Sequence, residues 1–274
     1  MNAFGSRRVP RASAAALLLI LGLAGPALAM GHGDGCPVNM VPVGPLCMDT
    51  YEASVWSKPP AKNGKPRGRQ YGREPGDYPC SIDGNDCAGA LFAASVPGVI
   101  PAVFTTWFQA QQACLSVGKR LPTNAEWQGA AAGTPDTGDA DDHMTTCNTE
   151  GAPTDHVLTG SRKNCVSNFG VFDMVGNASE IVADWLQGGG RPWRPTENLD
   201  APTDPDRAGE EFGQDIMRGI NPAPNRPEGS IFPSMIIRGG MVASGDHGEG
   251  AGVFALSALA SPVSVGPSGF RCVQ

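Results

Sequence analysis

The chain of 274 residues contains eight cysteines, and their number restricts the folds that it can adopt. An even number of cysteines is typical of exported proteins, whose compartments allow thiols to pair as disulfides. A zinc site is the alternative use of several cysteines, and it requires closely spaced pairs of the CxxC type with histidines. The sequence contains no such pair. We therefore predict that all eight cysteines form structural disulfides.

The N-terminus has the pattern of a secretory signal peptide. Arg7, Arg8 and Arg11 precede an apolar run at residues 14–24, and Ala27-Leu28-Ala29 offers a small-x-small cleavage site. A membrane anchor is the alternative, but the run is shorter than the roughly 20 residues that cross a bilayer. We expect a signal peptide at residues 1–29, a single domain at residues 30–274, no membrane span, and a periplasmic or extracellular location.

The mature chain is acidic. The leader carries three of the 20 Lys and Arg residues and no acid, which leaves 17 basic residues against 27 Asp and Glu, a formal charge near −10. Such a surface repels nucleic acid and favours divalent cations, so we expect no nucleic-acid partner. The 37 glycines and 25 prolines predict many turns and short elements rather than long helices.

Two consecutive helices are predicted between residues 105 and 133. Thr105 or Thr106 can cap the first helix, and Gly118 ends it. Thr123 and Glu126 form a capping box at the start of the second helix. The apolar face of the first helix contains Trp107, Ala110, Ala113, Cys114 and Val117, and that of the second contains Trp127, Ala130 and Ala131.

Short strands are predicted within residues 36–56, 169–185, 235–242, 253–259 and 269–273, where apolar residues are bounded by turn residues. Two polar, turn-rich segments, residues 57–90 and 188–230, are interpreted as surface insertions. The first of them contains a locally basic stretch at residues 58–73.

Four motifs follow one another along the chain. They are GKRLPTNAEW at residues 118–127, GVFDMVGNASE at 170–180, IRGG at 237–240 and GFR at 269–271. In this order they resemble the formylglycine-generating enzyme, or sulfatase-modifying factor, family over residues 36–274. That family also includes the pyoverdine-maturation protein and the C-terminal domain of ergothioneine sulfoxide synthase. The resemblance implies a C-type-lectin-like α+β fold of low secondary structure, with small antiparallel sheets, two helices and long loops.

The resemblance also implies a chemistry that this chain lacks the residues to perform. The formylglycine-generating enzyme binds copper through two C-terminal cysteines and oxidises a substrate cysteine with oxygen, and Cu(I) requires such thiolate ligands. Here the matching residues 250–259 contain no cysteine, and Cys272 alone follows Cys165. The family assigns Cys272 to a disulfide with Cys114, so we expect no copper. Proximity along the chain suggests the other pairs, Cys36 with Cys47, Cys80 with Cys87, and Cys147 with Cys165.

Family members carry calcium in two loop sites, and the matching residues here offer the oxygen ligands that a hard cation requires. The first site would use the side chains of Asn177 and Glu180 with carbonyls of Val175 or Ala178. The second would use Asn148, the carbonyl of Thr149, and Asp155. Without a metal, Asn177 would be a turn residue and Glu180 a solvated strand position. The acidic residues Asp139, Asp141 and Asp142 are interpreted as a solvated loop rather than a third site.

No histidine pair has the spacing of a zinc protease, since His32, His143, His156 and His247 are scattered along the chain. His247 lies with Asp246 and Glu249 near the expected active-site groove of the family. A triad of His247, Asp246 and a serine is one interpretation, and a polar loop facing the groove is the favoured one.

The chain departs from the family where aromatic residues are usual. It has Ser179-Glu180-Ile181 for Trp-Glu-Trp, and Met241-Val242 for Ser-Trp. We therefore expect an exported, calcium-stabilised binding domain that uses the former active-site groove for a peptide, glycan or protein partner. The alternative is a divergent oxidative or maturation enzyme that acts on a peptide or a secreted metabolite.

Overall fold

Short strands and two short helices are separated by turns, as the glycine and proline content predicts. The computed structural model describes residues 35–135, 142–150, 155–186, 209–212, 215–218, 233–242 and 250–274. In chain order the elements are β1 (Met40–Val43), β2 (Leu46–Asp49), β3 (Ala53–Lys58), β4 (Arg67–Tyr71), β5 (Phe92–Ser95), α1 (Trp107–Leu115), α2 (Asn124–Ala130), β6 (Ser179–Leu186), β7 (Gly209–Phe212), β8 (Asp215–Arg218), β9 (Ser234–Arg238), β10 (Leu256–Ala260) and β11 (Ser268–Phe270).

The strands form three sheets. β1 and β2 make an antiparallel pair, and β4-β3-β5 make an antiparallel three-stranded sheet. The third sheet has the order β11-β6-β9-β10-β8-β7 and is mixed, because β11 pairs with β6, and β10 with β8, in parallel. The expected α+β class with little regular secondary structure is confirmed, with parallel pairings in the largest sheet as a difference.

Both predicted helices are present, and their N-terminal caps follow from the sequence. Thr106 caps α1 and Thr123 caps α2, and each forms a capping box with the residue at the third helical position, Gln109 or Glu126. Because these side chains bond the first free backbone N–H groups, each helix starts where a threonine precedes it. α1 ends three residues before Gly118, whose φ of +74° suits the turn that follows.

The core lies beneath the two helices and the centre of the main sheet. Residues from Cys36 to Gln274 form one compact unit. One buried cluster surrounds Leu121, Ile181 and Phe270, and a second surrounds Met48 and Trp127. The C-terminus lies inside this unit, because Gln274 exchanges backbone hydrogen bonds with Cys47, both 2.9 Å long. The first and last parts of the domain therefore fold together.

The Arg-Gly-Gly motif is explained by close backbone packing. A Cβ atom on Gly240 would lie 2.2 Å from the carbonyl oxygen of Gly250, and one on Gly239 would lie 2.7 Å from that of Met174. Both glycines also have positive φ, so any side chain would clash and strain the backbone.

All eight cysteines are paired, and the pairs are those anticipated from proximity and from the resemblance. The disulfides join Cys36 to Cys47, Cys80 to Cys87, Cys114 to Cys272 and Cys147 to Cys165. The Cys114–Cys272 bridge ties α1 to the C-terminus across 158 residues. Four disulfides are typical of a protein that folds in an oxidising compartment.

The segments interpreted as insertions take part in the sheets. Residues 57–90 include β4, and the end of this segment packs on α1, where Gln109 Nε2 donates to the carbonyl oxygen of Cys80 at 3.2 Å. Within residues 188–230, β7 and β8 extend the main sheet, while the rest lies outside the described residues. The leader at residues 1–29 also lies outside them. No helix in the described ranges is long and apolar enough to cross a membrane.

Candidate functional site

A buried ion pair links the residue that follows β11 to the neighbouring strand β6. β11 and β6 run side by side with Gly269 opposite Glu180, and this register brings Arg271 to the Glu180 carboxylate. Arg271 Nε donates to Glu180 Oε2 at 2.7 Å, and Arg271 Nη2 donates to Oε1 at 2.5 Å. Trp127 Nε1 also donates to Oε2, at 2.6 Å. Both oxygens of this buried carboxylate are therefore occupied by protein donors.

A second buried pair lies beside the first. Lys119 Nζ is 2.5 Å from Asp49 Oδ1, and the backbone N–H of Cys272 donates to Asp49 Oδ2 at 3.0 Å. Burial raises the pKa of Asp49, and the Lys119 ammonium opposes this rise. Because Arg271 Nη1 donates to the Asp49 carbonyl at 3.2 Å, the two pairs are linked. Together they fasten the C-terminal residues to β2, which is a structural role.

The two loops predicted to bind calcium meet at one place. Asn148 Nδ2 donates to Asn177 Oδ1 and to the carbonyl oxygen of Asp155, both at 3.1 Å. The backbone N–H of Asn177 donates to the carbonyl oxygen of Asn148 at 2.7 Å. Both asparagines are buried. We call these two side chains with the Asp155 carbonyl the asparagine cluster.

Glu52 is a buried carboxylate of this region that the sequence analysis missed. Its Oε2 accepts from Asn177 Nδ2 at 2.6 Å, and its Oε1 accepts from the backbone N–H of Ala178 at 2.9 Å. The residue is only 1% exposed, just before β3. An acid placed next to the apolar start of a strand is the one sequence signal that could have identified it.

Buried negative charge accumulates around the asparagine cluster. Burial raises the pKa of Glu52, and the neighbouring Asp173 and Glu180 carboxylates raise it further. Burial also raises the pKa of Asp173 to about 7, although the Gly160 N–H donates to this carboxylate at 2.7 Å. Such an environment favours either protonation or a nearby cation.

The asparagine cluster contains oxygen atoms of the kind that calcium prefers, but each of them already accepts a hydrogen bond within the protein. Asn148, Asn177 and the Asp155 carbonyl lie together, and Asn148 presents its Nδ2 rather than its oxygen to the other two groups. Asn177 Oδ1 accepts from Asn148 Nδ2 and from the Val157 N–H, and Asn148 Oδ1 accepts from Arg162 Nη2 at 3.2 Å. A calcium ion at this place would replace these hydrogen bonds. It would be held by the two asparagines, with Glu52 as the carboxylate bonded to Asn177.

Glu180 is not a solvated strand residue, because it is buried and its carboxylate accepts from Arg271 and Trp127. Its role as a calcium ligand stays a prediction.

The other expected calcium ligands lie around the same place. Thr149 and Val175 are buried, and Ala178 is bonded through its N–H to Glu52. Asp155 contributes its carbonyl oxygen to Asn148.

Asp142, from the acidic loop, caps a turn. It accepts from the backbone N–H groups of Thr145 and Thr146 at 2.6 and 2.9 Å. Hydrogen bonds from the Thr145 hydroxyl and these N–H groups hold the pKa of Asp142 well below its usual range. Asp139 and Asp141 lie outside the described residues.

The stretch that matches the family's active-site segment is described only in part. Asp246, His247 and Glu249 lie outside the described residues. Arg238, at the end of β9, holds the described part in place: its Nη1 donates to Asn124 Oδ1 and its Nη2 to the Val253 carbonyl, both at 3.0 Å. Its guanidinium also lies 4.7 Å from the ring centre of Trp127.

The residues that replace the family's aromatics point mainly into the protein. Ser179 is buried, and its hydroxyl donates to Ser268 Oγ at 2.9 Å, while Ile181 and Val242 are fully buried in the core. Met241 is partly exposed. Their substitution therefore changes mainly the packing of the interior.

The histidine, cysteine and acidic side chains give no thiolate metal site in the described ranges. One cluster of three His, Cys, Asp or Glu ligands occurs there, formed by Cys80, Asp86 and Cys87. Its two sulfur atoms are joined as a disulfide, so they cannot act as thiolates. Of the histidines, His143 Nε2 lies 3.5 Å from Glu150, and His32 and His247 lie outside the described residues.

One family model matches most of the chain. Residues 83–274 match the family model described as the sulfatase-modifying factor enzyme 1-like domain. None of the curated proteins compared with the chain matches it. Among solved structures, the Major Tropism Determinant I1 variant is 15% identical with a TM-score of 0.43, and covers 87% of this chain and 52% of its own. The M1 variant is 14% identical with a TM-score of 0.42, at 88% and 53% coverage. The chain thus spans about half the length of these proteins.

Proposed function

The chain belongs to the sulfatase-modifying factor enzyme family, and from this premise we propose that it is an exported, calcium-stabilised binding domain. Its ligand is a peptide, a glycan or a protein, held in the groove that forms the active site in catalytic relatives. The α+β fold with two helices and little regular secondary structure is the one expected for that family. The family model matches residues 83–274, whereas the motifs suggested a resemblance over residues 36–274.

The state of the cysteines carries this proposal. Every cysteine is in a disulfide, and no free cysteine remains. Copper-dependent oxidation of a substrate cysteine requires thiolate ligands for Cu(I). Residues 250–259, which occupy the matching stretch, contain no cysteine. A scaffold retained without its reactive thiols is better suited to binding than to this oxidation.

The asparagine cluster supports the calcium part of the proposal. It brings together two asparagine side chains and the Asp155 carbonyl from two loops, next to the buried Glu52 carboxylate, and rotation of the Asn148 amide would turn its oxygen toward the other two groups. A divalent cation there would offset the buried negative charge that raises the pKa of Glu52. Calcium would thus stabilise the loops that support the groove.

The disulfides support export. Paired cysteines persist in oxidising compartments such as the periplasm and the extracellular space. The signal-peptide pattern of residues 1–29 agrees with this location.

Metal analysis and an activity assay test the proposal. The purified, disulfide-bonded protein is incubated with Cu(I), desalted and analysed for bound copper, and then incubated with oxygen and a cysteine-containing sulfatase peptide. We expect no stoichiometric copper and no conversion of the peptide cysteine by mass spectrometry. An authentic formylglycine-generating enzyme in the same assay is the positive control. Stoichiometric copper or turnover of the peptide would contradict the binding-domain proposal.

A further inference from the structure

The strongest positive charge of the molecule is concentrated in one hairpin. Residues 58–73 contain six Lys and Arg residues and no acid, whereas the rest of the chain has 14 cations against 27 acids. β3 and β4 are joined here by residues 59–66. We call residues 58–73, which run from the end of β3 to just after β4, the basic hairpin. The six side chains are all exposed: Lys58, Lys62, Lys65, Arg67, Arg69 and Arg73.

The charges of the basic hairpin are not neutralised within the protein. In the described part of the chain, none of the six side chains forms an ion pair. Lys58 and Arg67 are directly opposite each other on the paired strands, an arrangement of like charges that destabilises a hairpin. A ligand with several negative charges would remove this repulsion.

The basic hairpin is ordered before any ligand binds. In its turn, the Ala61 N–H donates to the Lys65 carbonyl and the Gly64 N–H to the Ala61 carbonyl, both at 2.8 Å. On β4, Arg67 Nε donates to the Pro59 carbonyl at 2.8 Å, and the Arg69 guanidinium lies 5.5 Å from the ring centre of Tyr71. Cations held in place lose less conformational entropy when a ligand binds.

The backbone of the hairpin is poorly suited to pairing with another strand. β4 is at the edge of its sheet, but the pairing with β3 is irregular near Gly68, which has a φ of +88°. The Arg69 N–H donates to the Ser57 hydroxyl oxygen at 2.9 Å instead of a strand carbonyl. Irregularities of this kind discourage strand addition, so the side chains are the groups that contact a partner.

The concentration of the positive charge in one hairpin favours a linear polymer over an extended anionic surface such as a bilayer. Electrostatic attraction extends only about 8 Å at physiological salt. A flat anionic surface, such as a bilayer, would also approach the acidic remainder of the chain, and the turn at residues 59–66 has no large apolar side chain to insert into lipid. A linear polymer would contact the hairpin alone, along a β4 strand that is about 17 Å long.

We propose that the basic hairpin binds a linear anionic polysaccharide through its carboxylate or sulfate groups. Single-stranded nucleic acid is the less suitable linear polyanion, because its binding sites combine phosphate contacts with aromatic faces on which the bases stack. Tyr71 is already packed against Arg69 and Tyr78. This site is separate from the proposed groove and does not depend on its ligand.

Binding to defined polymers tests the proposal. Affinities of the purified protein for heparin and for polygalacturonate are measured by calorimetry at about 50 and about 200 mM NaCl, because release of counterions makes such binding salt-dependent. We expect binding that weakens with salt, and no binding to neutral dextran. The double variant Lys62→Gln and Lys65→Gln is expected to bind at least about tenfold more weakly with a shallower salt dependence. Both lysines are exposed, so the variant is expected to keep the wild-type melting temperature.

Lys163→Gln is the matched control, because Lys163 is exposed outside the hairpin, and it should bind like the wild type. Failure of both polymers to bind would overturn the proposal. The charged side chains would then serve only to discourage pairing of the β4 edge with other strands. Equal affinity of the double variant and the wild type would also overturn the proposal. So would tighter binding to phosphatidylserine vesicles or to oligo-dT than to either polysaccharide.

Discussion

At the scale of single residues, the Arg271–Glu180 pair is the most deeply buried ion pair in the part of the chain that the structure describes. Both side chains are almost completely buried, and the carboxylate accepts hydrogen bonds from Arg271 and from Trp127. Removing one charge of a buried pair leaves the other charge without compensation, which is far more costly than leaving the pair intact.

Glu180→Gln is therefore expected to lower the free energy of unfolding by about 3–5 kcal/mol. Glu126→Gln is the control, because Glu126 pairs with Arg120 at the surface and glutamine preserves the capping box of α2. The control should lose no more than about 1 kcal/mol. Urea unfolding of both variants, with the disulfides intact, makes the comparison. Equal losses would mean that burial does not distinguish the two pairs.

Asp173 gives the domain a pH-dependent stability. Its pKa is raised to about 7 in the folded protein by burial, from 3.8 when it is exposed. Between these values the folded state keeps a proton that the unfolded state has released. Stability is therefore expected to fall as the pH rises from about 4 to about 7, and to change little above that range.

Asp173→Asn is expected to reduce this pH dependence. Asparagine tolerates the φ of +58° and can still accept from the Gly160 N–H, so the variant removes mainly the titration. Part of the slope should remain, because burial also raises the pKa of Glu52. Unfolding by urea at several pH values, with a chelator present, measures the slope. A variant with an unchanged slope would show that Asp173 does not titrate in this range.

At the scale of elements, the disulfide from α1 to the segment after β11 is expected to be the most stabilising of the four. In the chain-entropy model, a loop with a separation of 158 residues gives about 5 kcal/mol, and one with a separation of 7 gives about 2–3 kcal/mol.

Replacing Cys114 and Cys272 together with serine should thus lower stability by more than replacing Cys80 and Cys87 together. Calorimetric melting of the two double variants tests this order. The reverse order would mean that the Cys80–Cys87 loop, which packs on the start of α1, contributes more than its closure entropy.

At the scale of the whole molecule, calcium is expected to stabilise the fold through the asparagine cluster. Extracellular calcium modules bind with dissociation constants of about 0.1–1 mM. Calcium at a few tens of times such a constant would add about 2 kcal/mol by mass action. We expect a higher melting temperature in millimolar calcium than in EDTA, no comparable rise in magnesium, and at least one bound calcium ion per chain by equilibrium dialysis. Identical melting curves and no bound calcium would contradict the proposal.

Local chemistry made much of the architecture predictable. Thr106, Thr123 and Glu126 place the helix starts, because capping depends on neighbouring residues. The close spacing of three cysteine pairs and the resemblance in the last motif anticipated the disulfides. The lack of a cysteine at residues 250–259 likewise led, from the sequence and the family resemblance, to the expectation of no copper chemistry, which stays a prediction.

Other features depend on contacts between distant parts of the chain, and only the tertiary structure decided them. The parallel pairing of β11 with β6 makes Glu180 the buried partner of Arg271, 91 residues away, instead of a solvated strand residue. Glu52 meets Asn177 across 125 residues, a contact that no local pattern encodes. Spacing and capping act over a few residues, whereas the burial and partner of a charge are set by the packing of the whole domain. The pairing of the cysteines could therefore be predicted from the sequence, because it follows from spacing and from the family motifs. The hydrogen-bond partners of Glu180 and Asn177 could not, because they depend on how the whole domain packs.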